Sequence, residues 1–172
     1  YIGLDSNHPQ SYRYFMNSHL FDHIDILKGK THIPSMDKNS EDYYETYDNK
    51  IKDHGGIDFQ ILGIGSNGHI AFNEPGTSFD SLTHTVDLKE STIKDNSRFF
   101  NSINEVPTKA VSMGLKSIMN AKRIVIIITG KNKAEALKRL MSKEVTTDFP
   151  ASILHKHGKV TIYADQEAAS LL

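Results

Sequence analysis

Two runs of β-branched residues constrain this chain most. Residues 57–64 (IDFQILGI) and 123–129 (RIVIIIT) are almost continuously apolar. A strand with one wet face alternates apolar and polar residues. A strand covered on both faces does not, and such strands occur mainly in parallel sheets. Both runs are therefore expected to be buried parallel strands. A third strand is expected over 160–164 (VTIYA) and a weaker fourth over 110–114 (AVSMG).

Helical patterns alternate with these strands. Residues 10–21 place Tyr14, Phe15, Leu20 and Phe21 at mixed helical spacing. Residues 40–54 open on Ser40, a good N-cap, and stop at Gly55-Gly56. Within this helix the tyrosines of EDYYETYD are expected to cover the core. Residues 131–143 carry Ala134, Leu137, Leu140 and Met141 as one apolar stripe. Strands alternating with helices define an α/β domain with a mainly parallel sheet, and one domain over residues 1–172 is expected. Ligands of such sheets bind beyond the carboxyl ends of the strands.

Composition removes several function classes. The chain has no Cys, so thiolate catalysis and Cys-based metal centres are excluded. With 20 basic and 21 acidic residues there is no basic field to hold nucleic acid. The longest apolar run, IVIIIT, is too short for a membrane-spanning helix, and a cytoplasmic setting is the expectation.

The stretch GIGSNGHIAFNEP, residues 63–75, follows the first clear strand and holds three glycines, one histidine and one glutamate. Gly65 and Gly68 suit positive φ and a close approach of ligand to backbone. Asn67 tolerates left-handed backbone and offers an amide. His69 and Glu74 are five residues apart, so they share no helix face, but a wrapped loop would join them as an acid/base pair. The alternative is a glycine-rich turn with a surface His–Glu hydrogen bond.

The same stretch, extended to LGIGSNGHIAFNEPGTSF, resembles the signature of the glucosamine-6-phosphate deaminases, also called glucosamine-6-phosphate isomerases. The resemblance continues through YIGL…HPQSYRYFMN, NSRFF, AVSMGL, AKRIVIIITGKNKAEAL and LHKH, in family order over essentially the whole chain. It implies a Rossmann-like three-layer α/β fold. It implies conversion of glucosamine 6-phosphate and water to fructose 6-phosphate and ammonia, with no metal or redox cofactor.

Residue by residue, the resemblance implies that His69 handles the ring-opening proton and that Glu74 is its partner carboxylate. Asn67 stands where family members carry Asp or Asn. An amide there orients by hydrogen bonds only, so Glu74 is the expected orienting carboxylate. Arg98 and Lys133 are implied phosphate ligands, with Lys131 the near alternative to Lys133. Gly63 and Gly65 are expected to line the sugar pocket. Phe72 and Phe99 are core or pocket wall. His155 and His157 form H-x-H, a metal-compatible spacing, but nothing nearby completes a site. A phosphosugar is the expected partner, and nothing in the sequence decides between monomer and homo-oligomer.

The resemblance also implies two elements upstream of Tyr1: a Gly/Ser/Thr-rich phosphate loop, and an enolising Asp two residues before Tyr1. If the numbered chain is complete, the expectation is an N-terminally truncated domain that lacks this base, exposes sheet edge and associates. The competing functions are a 6-phosphogluconolactonase-like hydrolase and a phosphosugar-binding protein without turnover.

Overall fold

The computed structural model describes residues 1–34 and 43–172. Its regular elements, in chain order, are α1 (Tyr12–His19), α2 (Tyr43–Asp53), β1 (Gln60–Leu62), β2 (His84–Asp87), α3 (Glu90–Asn96), β3 (Lys109–Ser112), α4 (Leu115–Met119), β4 (Ile124–Ile128), α5 (Ala134–Met141) and β5 (Val160–Ala164). They divide into two compact units. The first comprises Tyr1–Glu41 with Thr85–Val111, and the second Asp42–His84 with Ser112–Leu172.

The second unit is built on a parallel sheet in the order β1-β4-β5. Leu62 stands opposite Ile126, and Ile126 opposite Ile162. The sheet turns Leu62, Ile124, Ile126 and Ile128 inward, where they pack with Leu115, Ile118, Leu137, Leu140, Phe149 and Leu154. The other face differs from the sequence expectation. Ile61 is 58% exposed, Ile127 47% and Tyr163 61%. These positions alternate with the buried ones, so one face is covered among the described residues and the other presents apolar side chains to solvent. The strand expected over 57–64 also shortens to three paired residues.

Helix ends follow the local chemistry. α2 finishes in a Schellman motif. Gly56 N–H donates to Ile51 O (2.9 Å), Gly55 N–H donates to Lys52 O (3.0 Å), and both glycines have φ near +86°. The cap expected at Ser40 lies outside the described residues, as do the side chains of Tyr43 and Tyr44. Asp48 on α2 accepts from Thr83 N–H (2.7 Å) and from the Ser117 hydroxyl, tying α2 to two distant segments. α5 buries Ala134, Ala136, Leu137 and Leu140. Met141, expected on that stripe, is exposed in the last turn, because the buried arc centres nearer Ala136 and Leu140.

In the first unit, α1 is shorter than the sequence pattern and starts at Ser11, whose Oγ accepts from Tyr14 N–H at 3.1 Å. Tyr1, Tyr12, His8 and Phe100 form a ring cluster with centroid separations of 5.5–6.3 Å. Burial pushes the Tyr1 and Tyr12 phenols above their ordinary value, so both stay neutral near pH 7. The weak strand expected over 110–114 exists as β3, but it pairs with β2 and does not join the parallel sheet.

Candidate active site

β1 and β4 are adjacent and parallel, so the loops that follow them leave the same edge of the sheet. The loop after β1 carries His69, and the turn after β4 carries Lys133. This is the carboxyl edge, where the fold class places its ligands.

The loop after β1 folds back on itself. Gly65 N–H donates to His69 O (2.9 Å) and Gly68 N–H to Gly65 O (3.0 Å), closing a tight turn. Gly68 takes φ +87°. Gly65 is not among the positive-φ glycines. Its reason is spatial: a Cβ there would lie 2.2 Å from His69 Cε1 and 2.5 Å from Nε2. The glycine makes room for the imidazole. A second turn follows, with Asn73 N–H donating to Ile70 O and Ala71 at φ 52°. This is an uncommon conformation for a residue with a side chain. It returns the chain so that Glu74 meets Asn67.

Three side chains converge here. Asn67 Oδ1 accepts from the His69 backbone N–H (3.1 Å) and contacts His69 Nδ1 at 2.8 Å. Asn67 Nδ2 donates to Glu74 Oε2 at 2.7 Å. These contacts fix the amide orientation, since the flipped amide would set its NH₂ against the His69 backbone N–H and its oxygen against the Glu74 carboxylate. They also fix the tautomer. Oδ1 is an acceptor only, so Nδ1 carries the proton and the neutral ring has its lone pair on Nε2. Glu74 Oε2 is 3.7 Å from Nδ1, beyond hydrogen-bond distance but within ion-pair distance of a protonated ring. Glu74 is buried, whereas the His69 side chain keeps 26% exposure. The sequence makes Glu74 the expected orienting carboxylate and lets Asn67 orient by hydrogen bonds. In the structure Asn67 makes the direct contact.

The loop is held from two sides. Phe72 N–H donates to Ser112 Oγ (3.0 Å), and fully buried Asn73 donates from Nδ2 to Met113 O (2.8 Å). On the other side Ala151 N–H donates to Gly68 O and Gly76 N–H to Thr147 O, each at 2.9 Å. Sequence reading quoted Asn73 within its motif but gave it no role. Ser112, Thr147 and Phe149 carry no local signal in the sequence, because what marks them is the loop they touch.

The remaining expected residues fall as follows. Gly63 has open space around its Cα. Lys133 is half-buried and caps α5, with its N–H donating to Gly130 O (3.0 Å). One backbone donor of this turn is already taken. Gly130 N–H is bound by the Asp165 carboxylate at 2.9 Å. Arg98 belongs to the first unit, exposed on the 3₁₀ turn Ser97–Phe99, its Cζ 4.7 Å from the centroid of the Phe99 ring. Phe99 is 49% exposed and so is not core, while Phe72 is half-buried. His155 and His157 turn Nε2 onto carbonyls, Leu140 O at 2.6 Å and Ala121 O at 2.7 Å. Those nitrogens are donors, which removes them as metal ligands in this form. A cavity of about 310 Å³ lies at the opposite, amino edge of the sheet, lined by Asp58, Phe59, Lys122, Arg123 and Lys159. It contains none of the side chains around His69.

The loop after β1 thus sets a histidine with a fixed tautomer, backed by an amide and a carboxylate, at the carboxyl edge of the parallel sheet. Residues 4–163 match the family model of glucosamine-6-phosphate isomerases/6-phosphogluconolactonase, and the chain belongs to that family. It is 55% identical over 172 residues to a glucosamine-6-phosphate deaminase of Shouchella clausii (strain KSM-K16), covering 99% of this chain and 70% of that protein. A solved structure described as a monomeric glucosamine-6-phosphate deaminase superposes with a TM-score of 0.97 at 47% identity, covering 100% of this chain and 72% of that one. A 6-phosphogluconolactonase from Trypanosoma cruzi superposes with a TM-score of 0.69 at 18% identity, covering 98% and 69%. That likeness is one of fold. The expected Rossmann-like α/β class with its parallel sheet is thus the observed one.

Proposed function

We propose that this chain is the deaminase of its family, converting glucosamine 6-phosphate and water to fructose 6-phosphate and ammonia. One observation carries the proposal: the Nδ1–H···Oδ1 contact of 2.8 Å between His69 and Asn67, which leaves the basic lone pair of the ring on Nε2. A pyranose is a hemiacetal. Opening it requires a proton to leave the anomeric hydroxyl and another to reach the ring oxygen. A neutral imidazole can take the first and return it as the second.

In this reading Asn67 fixes the ring plane and tautomer. Glu74 accepts from Asn67 Nδ2 and stabilises the imidazolium that forms when Nε2 is protonated. Lys133, at the same sheet edge as His69, is a phosphate ligand in this reading, and Arg98 is the other that the resemblance implies. Gly63 and Gly65 border the sugar. A dianionic phosphosugar crosses no membrane unaided, so a cytoplasmic setting goes with this substrate. No step of this chemistry calls for a metal or a redox cofactor.

The lactonase reading uses the same fold. Lactone hydrolysis requires neither hemiacetal opening nor amine loss, and gives the Asn67–Glu74 pair no comparable task. The test is product analysis on the natural full chain with glucosamine 6-phosphate and, separately, 6-phosphogluconolactone. Ammonia release that falls roughly 10²–10⁴-fold in His69→Gln, with KM little changed, supports the proposal. Acid release from the lactone without ammonia would replace it. Saturable binding of glucosamine 6-phosphate without turnover would leave a binding protein.

A further inference from the structure

This inference rests on the deaminase reading and adds a residue to it. We propose that Phe149 is a positioning residue for His69, acting through the backbone of Gly68. Phe149 stands far from the histidine in sequence and no motif links the two. Its ring is 2% exposed and lies against Gly68 so closely that a Cβ on that glycine would be 2.1 Å from Cδ2 and 2.2 Å from Cε2. Two residues on, Ala151 N–H donates to Gly68 O. Two residues before it, Thr147 O accepts from Gly76 N–H. One short segment therefore supports the catalytic loop at both ends, and the Phe149 ring fills the space beneath the residue that precedes His69.

The support reaches the imidazole by a short path. Gly68 N–H closes the turn onto Gly65 O, Gly65 N–H closes it onto His69 O, and the His69 ring rests on Gly65. If Gly68 settles into space vacated by Phe149, the turn tilts and Nε2 moves with it. The contact of Nδ1 to Asn67 loosens at the same time. Phosphate binding through Lys133 does not depend on this turn. The loss should therefore fall on turnover and not on substrate affinity. The Arg139 guanidinium, 4.7 Å from the centroid of the same ring, holds Phe149 in place from α5.

The experiment compares the full-length protein with Phe149→Leu, which stays apolar but is smaller and loses the flat face against Gly68. Phe149→Met is the second variant if Leu lowers the folded fraction. Ile118→Val, an equally buried core change in α4, is the control. Two readouts are taken: steady-state ammonia release from glucosamine 6-phosphate, and the ¹⁵N resonances of the His69 ring. The expected result is a kcat roughly 10- to 100-fold lower with KM within about threefold. His69 should show a single Nδ1–H tautomer in the parent and a mixture in Phe149→Leu, with the control like the parent. The inference is overturned if the His69 resonances of Phe149→Leu match the parent, or if Ile118→Val moves them as far. Should the parent release no ammonia, the deaminase reading fails while the resonances still decide the role of Phe149.

Discussion

The imidazole of His69 occupies the place that a β-carbon on Gly65 would need, with Cε1 2.2 Å from it. The glycine is there because a histidine must fold back over the chain, and not because the backbone adopts a forbidden angle.

Gly65→Ala should therefore displace His69 while leaving the protein folded. The ring is a partly exposed side chain and can swing outward. Ammonia release should fall roughly 10- to 100-fold, with a thermal midpoint within a few degrees of the parent. Parent-like kcat would show that the ring tolerates the methyl group without moving.

Gly68→Ala should behave in the opposite way. It adds a Cβ at φ +87° and drives it into the buried Phe149 ring. Left-handed strain costs about 1–2 kcal/mol and overpacking about 1–3 kcal/mol. A loss of roughly 2–5 kcal/mol in urea unfolding is expected, and a loss below about 1 kcal/mol would contradict the packing described.

Asn67→Asp tests the electrostatics of the site. Two carboxylates would then face each other at the present 2.7 Å contact, and one of them would touch Nδ1. Added negative charge favours imidazolium, so His69 should hold its proton to higher pH. The acid limb of kcat/KM, which reports loss of the neutral ring, should move upward by about one pH unit. A downward or absent shift would remove His69 as the titrating base.

Lys133→Ala should raise KM for glucosamine 6-phosphate by roughly 10- to 100-fold, the worth of one charge-assisted hydrogen bond, with kcat reduced much less. Unchanged KM would move the phosphate contact to another residue, Lys131 being the neighbour to try.

Asp48→Ala should weaken the fold without touching the chemistry. It removes the acceptor for Thr83 N–H and Ser117 Oγ, bonds that span 35 and 69 residues of sequence. About 2–3 kcal/mol of stability should be lost in denaturant titration, with KM unchanged.

Much of this was legible in the chain. The run at 123–129 announced the parallel strand β4, because β-branched continuity is a local property, and 160–164 announced β5. Gly55-Gly56 marked the end of α2 for the same reason. The motif at 63–75 located His69, Asn67 and Glu74, because the groups that meet are close in sequence. What stayed hidden depends on distant partners. β2 and its pairing with β3 had no strong alternation. The exposed face of Ile61 and Ile127 looks in sequence like any buried strand. Which of Asn67 and Glu74 touches the ring was not legible, because it depends on the turn at Ile70–Asn73, which brings Glu74 to the amide. Phe149 carried no signal, because a supporting residue is defined by what it touches.

The clamp on the catalytic loop also has an order in time. Residues 63–76 leave the ribosome early, yet the carbonyl that receives Gly76 N–H belongs to Thr147, and the donor to Gly68 O belongs to Ala151. A nascent chain that ends before residue 147 holds His69, Asn67 and Glu74 and none of this side of their support. Its loop closure is non-local, and non-local contacts form late. Partly made copies of this protein should therefore carry the site's letters without its geometry, and chemistry at His69 should begin only once residues 147–151 have folded against the loop.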